Sequence, residues 1–413
     1  SRATILTGTY NHINEVTTIG AHLDNTQENV AKILQRNGYQ TAVVGKWHLG
    51  QGEAHWPTGF DYWNILQGQG PYFDPEMVNN GEKVQYEGYT TDLVTDLSLD
   101  WLKGRDPDKP FFLMYHHKAP HRPWDPDDKH ADMYEDIDIP TPATFDDDYQ
   151  NRAAAAGAAQ MTVAEHLTER DLKHPVPEGL SPAEEKHWKY QRYIKDYLRC
   201  VASVDDNVGR VLDYLDEEGL TEDTIVVYTS DQGFFLGDHG WYDKRFMYEE
   251  SLRMPFIIRY PKSIRPESVN DDIITNVDFA PTFLHYAGID LPSEFQGTSF
   301  DTLLEGSTPE DWQQSMYYRY WMHLAHHHVY AHYGVRTKRH KLIYYYADAL
   351  GQPGAIDETK PPEWELFDLD KDPNELNNVY HDPAYADTAQ ELRTELRRLQ
   401  EKVNDEPYPA EQP

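Results

Sequence analysis

The chain has 413 residues, with 37 Lys and Arg against 71 Asp and Glu, so its formal net charge at pH 7 is −34. This charge argues against nucleic acid or an anionic membrane surface as the main partner, while one locally basic pocket stays compatible with it. Hydrophobic residues make up 39% of the chain, which is enough for a folded core, and no apolar run is long enough to span a membrane. The single cysteine, Cys200, excludes an internal disulfide and a cysteine metal site.

Strand-like and helix-like segments alternate over the first three quarters of the chain. Residues 25–37 predict a helix, and the longest helix is predicted from the capping box of Ser181 and Glu184 to Gly219. Strands are expected at residues 41–44, 111–115, 225–230 and 255–260. The alternation predicts an α/β fold, in which helices flank a large and mostly parallel sheet.

The pattern changes after about residue 312. Short antiparallel strands are expected in two Tyr-rich stretches and one further run, at residues 317–321, 342–346 and 364–369. A charged amphipathic helix is predicted at 386–403. We therefore expect two domains, a large α/β domain over residues 1–312 and a smaller C-terminal α+β subdomain over residues 313–413.

Polar side chains follow three of the predicted strands at their carboxyl ends, where parallel α/β sheets bind ligands. These residues are Lys46, His48, His121, Asp231, Gln232 and Lys244. The carboxylate and amide oxygens suit Ca²⁺ or Mg²⁺ better than Zn²⁺. The two lysines can neutralise an anion, and the two histidines can donate to it or transfer protons. The combination predicts a site that transfers a phosphoryl-like or sulfuryl-like group.

Six short segments together resemble the signatures of one family. They are SRATILTG (1–8), GKWHLG (45–50), APH (119–121), TSDQG (229–233), HGWYDK (239–244) and ELFDL (365–369). Their order resembles that in the formylglycine-dependent sulfatases, whose fold is alkaline-phosphatase-like, and the resemblance covers nearly the whole chain. In that family a Cys or Ser is converted to formylglycine. This nucleophile would lie three residues before Ser1, together with the family's first strand.

The resemblance implies two cofactors and one maturation partner. Hydrated formylglycine would attack the sulfur of a sulfate ester, after a formylglycine-generating enzyme has modified the precursor residue. A calcium ion would be held by Asp231 and Gln232, although many relatives carry Asn or His at the position of Gln232.

The resemblance also assigns roles to five basic residues of this chain. Lys46 and Lys244 would bind the sulfate oxygens and offset the charge of the transition state. Arg2 would orient the hydrated formylglycine and the metal ligands. His121 or Lys244 would protonate the departing sugar oxygen, and His48 would take a proton from the diol so that sulfate leaves.

Residues 316–336 contain five histidines. They are compatible with a His-rich surface strand pair, or with a polar wall that binds sugar hydroxyls or a second anionic group. The stretch resembles carbohydrate sulfatases, including glucosamine-6-sulfatase-like members, and His327, His332 and Arg336 are the expected substrate-binding residues. We therefore favour a sulfated saccharide over a simple aryl sulfate. A secreted or periplasmic location is expected, because relatives that act on polysaccharides are commonly exported.

Two other functions stay open. A phosphonate or phosphodiester hydrolase of the same superfamily would share the nucleophile and metal chemistry, and two lysines over the anion favour sulfate only modestly. A non-catalytic sulfated-glycan binder is the second alternative, since these residues include no nucleophile of the expected kind.

Overall fold

A computed structural model describes residues 1–409 of the chain. Within these residues the α-helices are α1 Arg2–Thr7, α2 Val30–Arg36, α3 Thr90–Gly104, α4 Ala154–Ala158, α5 Glu169–Leu172, α6 Pro182–Glu217, α7 Glu249–Leu252, α8 Phe279–Tyr286, α9 Asp301–Leu304 and α10 Ala386–Val403. The strands are β1 Gln40–Lys46, β2 Tyr62–Leu66, β3 Glu76–Asn79, β4 Glu82–Gln85, β5 Phe111–His116, β6 Val226–Thr229, β7 Phe235–Leu236, β8 Tyr242–Asp243, β9 Phe256–Arg259, β10 Ser315–Tyr320, β11 His332–Thr337, β12 His340–Tyr345 and β13 Glu363–Asp368.

The central sheet has five strands in the order β4-β3-β2-β1-β5. β1 pairs in parallel with β2 and with β5, whereas β2 with β3 and β3 with β4 are antiparallel. Val43 of β1 and Ile65 of β2 are buried in one cluster with Ile33 of α2, and α3 contacts β1 and β5. The molecule therefore has the predicted α/β class, with helices around a mixed sheet.

The sheet is less parallel than the sequence pattern predicts. The predicted strands at 225–230 and 255–260 form β6 and β9, which pair antiparallel with each other in a separate two-stranded sheet. A parallel pair needs a crossover, usually a helix, that returns the chain to its starting edge. Between β6 and β9 the chain forms the short β7 and β8 ribbon and the four-residue α7 instead, so it returns in the opposite direction.

A second sheet lies in the C-terminal part of the chain, in the order β10-β11-β12-β13, with every pair antiparallel. α10 packs on it, and Leu392 is buried in one cluster with Leu342. The predicted strands and terminal helix are confirmed. The division into two domains at residue 312 stays a prediction. The last residues of the predicted C-terminal subdomain, 410–413, lie outside the part of the chain that the structure describes. No helix of residues 1–409 is long and apolar enough to cross a membrane.

Charged side chains connect this second sheet to the segment after β8. Glu249 of α7 accepts hydrogen bonds from Arg336 of β11 at 3.2 and 3.0 Å, and lies 2.9 Å from Lys341 Nζ of β12. Glu375 accepts from Lys341 Nζ at 2.6 Å and from the backbone nitrogen of Glu249 at 2.7 Å. Lys341 and Glu375 are buried. These contacts fix the position of the chain just after Lys244.

Candidate active site

Arg2 connects two of the strand ends. It is the first residue of α1, and its Nε donates to the backbone oxygen of Trp47 at 3.0 Å. One terminal nitrogen donates to Asp231 Oδ2 at 2.7 Å, and the other lies 3.2 Å from His48 Nδ1. Arg2 thereby brings together residues that follow β1 and β6.

Lys46 and His48 share a partner that the sequence analysis missed. Lys46 Nζ donates to Gln69 Oε1 at 2.6 Å, and Gln69 Nε2 lies 3.3 Å from His48 Nε2. Gln69 follows β2, which runs parallel to β1, so the rule that selects Lys46 from a strand end also selects Gln69. The sequence pattern does not reveal β2 because Asn64 interrupts it, yet Asn64 is fully buried and donates to Tyr86 Oη at 2.7 Å.

Positive charge dominates the electrostatics of this cluster. Burial, and then the charge of Arg2, lowers the pKa of Lys46 to about 6 and the pKa of His48 to about 3. Burial alone would raise the pKa of Asp231, but Arg2, Lys244 and Lys46 hold that pKa below its ordinary value. His48 is therefore neutral at neutral pH. A bound anion would relieve the repulsion among the cations.

His121 follows β5 and lines a cleft of 370 Å³, together with Gln69. Its Nδ1 faces the backbone oxygen of Arg122 at 3.0 Å. Burial, and then the charges of Lys244 and Lys46, lowers the pKa of His121 to about 2. His121 and Gln69 line the same cleft, which places His121 beside the cluster around Lys46.

Lys244 directly follows β8, and its Nζ lies 2.9 Å from Asp243 Oδ1. The other carboxylate oxygen, Asp243 Oδ2, lies 2.7 Å from His327 Nε2. His327 Nδ1 in turn faces the backbone oxygen of Gln160 at 2.9 Å. The structure thus connects the predicted substrate-binding residue His327 to Lys244 through Asp243. The sequence gives no signal for Asp243, because an Asp beside a Lys resembles an ordinary exposed pair.

The structure does not bring His332 and Arg336 into this cluster. His332 has no exposed surface, and its Nδ1 faces the backbone oxygen of Tyr330 at 2.7 Å. Arg336 makes two hydrogen bonds to the carboxylate of Glu249. The burial of His332 and the pairing of Arg336 with Glu249 both depend on segments that lie far apart in sequence, so a sequence pattern cannot reveal them. Their role in sugar binding stays a prediction.

The two predicted metal ligands follow β6. Asp231 offers a carboxylate and Gln232 an amide oxygen, and both are donors that Ca²⁺ accepts. In the part of the chain that the structure describes, no group of three or more His, Cys, Asp or Glu side chains could hold a metal ion. Ca²⁺ takes about six to eight oxygens. The two residues therefore fit its donor chemistry and would supply only part of its ligands.

Two family models match the chain. The model described as Sulfatase matches residues 1–289, and the model described as N-sulphoglucosamine sulphohydrolase, C-terminal, matches residues 237–402. The chain is 42% identical over 450 residues to the N-acetylglucosamine-6-O-sulfatase of Bacteroides thetaiotaomicron. This match covers 98% of the present chain and 78% of the relative. The chain spans only 56% and 58% of the next two curated relatives.

Solved structures agree with these matches. A protein in complex with its substrate D-glucosamine-2-N,6-O-disulfate matches with a TM-score of 0.89 and 42% identity, over 98% of this chain and 87% of that chain. The phosphonate monoester hydrolase of Silicibacter pomeroyi matches with a TM-score of 0.75 and 22% identity, over 97% and 85%, and shares the fold. Fold and relatives together define an enzyme that hydrolyses sulfuric esters. The chain belongs to the sulfatase family.

Proposed function

We propose that this enzyme removes the 6-O-sulfate group from glucosamine residues of sulfated saccharides. The observation that carries the proposal is the 42% identity, over 98% of the chain, to an N-acetylglucosamine-6-O-sulfatase. The structural relative at the same identity binds D-glucosamine-2-N,6-O-disulfate, which also has a sulfate on O6. Export to a secreted or periplasmic location would suit such a substrate and stays a prediction.

Two lysines would bind the sulfate ester. The pKa of Lys46 is about 6 without substrate, so an anion beside it would favour the charged form of this lysine. Lys46 Nζ donates a hydrogen bond to Gln69 at 2.6 Å, and Lys244 Nζ forms an ion pair with Asp243 at 2.9 Å. Because both nitrogen atoms are positioned in advance, their charged forms would stabilise the charge that develops on the sulfate oxygens without a costly rearrangement.

Membership in the sulfatase family supports two cofactors, formylglycine and calcium. Formylglycine would supply the nucleophile and calcium a Lewis acid. Asp231 and Gln232 would offer oxygens to the calcium, and a formylglycine-generating enzyme would act on the precursor residue. Arg2 bonds Asp231 and contacts His48, so it would hold the metal ligand and the base in a fixed relation.

We assign the two proton transfers to different side chains. Both ring nitrogens of His48 face nitrogen donors, on Arg2 and Gln69, which keep the ring neutral before the reaction. The neutral ring is the form that can take a proton, and negative charge that develops beside it would raise its low pKa. His121 donates its Nδ1 proton to the backbone oxygen of Arg122, so its Nε2 is an acceptor while the ring is neutral. This supports Lys244, rather than His121, as the group that protonates the departing sugar oxygen.

The test is sulfate release by the formylglycine-bearing protein. The substrates are glucosamine with a sulfate on O6, the same sugar with a sulfate on O3, and a sulfated aryl ester, with free sulfate measured by ion chromatography. We expect release from the 6-O-sulfate at the highest kcat/KM. Equal or faster release from the 3-O-sulfate or the aryl ester would contradict the assignment of the substrate.

The same preparation separates this proposal from its two alternatives. A phosphonate monoester hydrolase has the same fold, so the kcat/KM values for a sulfate and a phosphonate ester of one leaving group should be compared. A higher value for the phosphonate would favour that activity. An intact mass that shows no formylglycine in protein made together with the formylglycine-generating enzyme would favour a sulfated-glycan binder.

A further inference from the structure

We infer that the cleft beside His121 binds a second anionic group of the substrate, and that Lys118, Arg122 and Arg170 form this subsite. The inference rests on the proposed function, since it concerns the same bound saccharide. It places the second anion among residues that follow β5 and lie on α5, and not among the histidines of residues 316–336.

The cleft connects the two parts of such a substrate site. Its lining includes His121 and Gln69, which belong to the cluster around Lys46, and also Lys118, Arg122 and Arg170. The volume of the cleft is 370 Å³, which lies within the range of sites for small ligands. A sugar whose ester sits at Lys46 would therefore extend its other substituents along this cleft.

Two hydrogen bonds to Asp171 fix the guanidinium group of Arg122 in the cleft. Its Nε donates to Asp171 Oδ1 at 2.9 Å, and one terminal nitrogen bonds Asp171 Oδ2. Tyr242 makes a further hydrogen bond to the same guanidinium. These three bonds use three of its five N–H donors, so two N–H groups stay able to donate to a ligand. Asp171 is buried and also accepts from the backbone nitrogen of Thr168, so the pair is fixed to the start of α5. A fixed guanidinium loses little entropy when an anion binds.

Lys118 and Arg170 bring further charge to the same cleft. Lys118 is buried, with its Nζ 4.4 Å from the ring centre of Tyr72 and 3.4 Å from the backbone oxygen of Arg122. Burial lowers its pKa to about 8, while the charge of Asp125 opposes this lowering and the charge of Arg170 adds to it. Lys118 is thus cationic for the most part at neutral pH. Lys118 and Arg170 line the same cleft, so an anion bound in it would offset the repulsion between their like charges.

The charge of the lining supports an anion over a neutral hydroxyl group. Three cationic side chains and one carboxylate, Asp171, line the cleft, which leaves an excess of two positive charges. This excess lies in a chain whose formal net charge is −34. Sugar hydroxyls need no such excess, because neutral donors and acceptors satisfy them. A sulfate or carboxylate group matches it, and either the same sugar or its neighbour could supply the group.

The experiment compares Arg170→Gln with the wild type on two substrates, glucosamine 6-O-sulfate and glucosamine 2-N,6-O-disulfate. We expect the ratio of kcat/KM for the disulfate to that for the monosulfate to fall about tenfold in the variant, because one charge-assisted contact is lost. Arg170→Lys should restore part of the ratio. Arg265→Gln, which removes an exposed arginine after β9, is the control and should leave the ratio unchanged.

Direct binding separates a failure of this inference from a failure of the proposed function. Calorimetric titration with glucosamine 2-N-sulfate, which has no 6-O-sulfate, should show weaker binding by Arg170→Gln than by the wild type. Titration with a uronic acid linked to glucosamine distinguishes a carboxylate of the neighbouring sugar from the N-sulfate. An unchanged ratio, or equal affinities of both proteins for both ligands, would overturn the subsite. Absence of any sulfate release by the wild type would overturn the proposed function alone.

Discussion

His327 Nε2 lies 2.7 Å from Asp243 Oδ2, and the carboxylate of Asp243 also holds the ammonium group of Lys244 at 2.9 Å. Burial alone would raise the pKa of Asp243, but Lys244 and Arg245 and the bond from His327 hold this pKa well below its ordinary value. The second ring nitrogen of His327 faces the backbone oxygen of Gln160. The ring of His327 thus lies between two oxygen atoms, one on Asp243 and one on the backbone of Gln160. It fixes the position of Asp243, and through Asp243 that of Lys244.

This arrangement predicts that His327 positions Lys244. We expect His327→Ala to lower kcat about 10²-fold, because a displacement of about 1 Å at a reacting group has an effect of this size. KM should change less than kcat. His381→Ala removes an exposed histidine of the C-terminal segment and serves as the control, with unchanged kinetics. A large rise in KM at constant kcat would instead indicate that His327 binds the sugar directly.

Lys244 itself is expected to contribute more to the rate of sulfate release than His327 does. Lys244→Ala should reduce kcat/KM by about 10²-fold or more, because a preorganised cation beside the developing charge is lost. Steady-state kinetics on the 6-O-sulfated sugar measure the effect, and Lys103→Ala, at an exposed position of α3, is the matched control. Rates for Lys244→Ala within twofold of the wild type would refute a role at the reaction centre.

Gln69 is expected to position Lys46 and His48. Gln69→Ala removes the 2.6 Å bond to Lys46 Nζ and the contact with His48, so kcat/KM should fall about tenfold. Gln67→Ala, two residues earlier in the same loop, is the control for a change of loop stability. Equal kinetics of both variants would show that Gln69 does not position the two side chains.

Burial of His332 predicts a dependence of stability on pH. Burial lowers its pKa from 6.5 to about 4, so the folded protein keeps the ring neutral while the unfolded chain takes up a proton near pH 6.5. The contribution of His332 to the free energy of unfolding therefore falls by up to about 3 kcal/mol as the pH falls from about 6.5 to about 4. His332→Phe should lose less stability than the wild type between pH 7 and pH 4.5 in urea unfolding. If the difference in the free energy of unfolding between the variant and the wild type does not change with pH, the lowered pKa of His332 is contradicted.

The same variant also tests the predicted role of His332 in sugar binding. An unchanged KM for the sulfated sugar would count against that role.

Calcium removal should affect activity and stability together. A chelator is expected to abolish sulfate release and to lower the melting temperature, since a ligand that binds only the folded state stabilises it by linkage. Added Ca²⁺ should restore both. Asp231→Asn should show a smaller shift of the melting temperature with Ca²⁺ than the wild type. Full activity after exhaustive chelation would remove Asp231 and Gln232 from consideration as metal ligands.

Local signals explain which elements the sequence predicts well. α6 has the predicted capping box, in which Ser181 and Glu184 bond each other's backbone nitrogens, and α10 keeps one apolar face over its whole length. The helix predicted from residue 25 begins later, at Val30, because Asn29 is the residue whose side chain accepts from the helix backbone. Asn25 donates to the backbone oxygen of Glu53 instead.

Long-range pairing explains what the sequence leaves out of the candidate site. The residues at strand ends are predictable because a parallel sheet brings them to one edge, and this argument selects Lys46 and His121. Gln69 is missed because its strand contains a buried Asn. Asp243 and Arg122 are missed because their importance depends on His327 and Asp171, which lie far away in sequence.

The bonds that Glu249 makes with Arg336 and Lys341 have a consequence for protein engineering. A chimera that takes its C-terminal sheet from another sulfatase would keep Arg2, Lys46, His48, His121 and Lys244, the basic residues proposed to surround the ester. It would still lose the anchor of the segment that carries Lys244, unless Arg336, Lys341 and Glu375 are transferred with compatible partners. Exchange of specificity between relatives therefore has to move α7 and the C-terminal sheet as one unit.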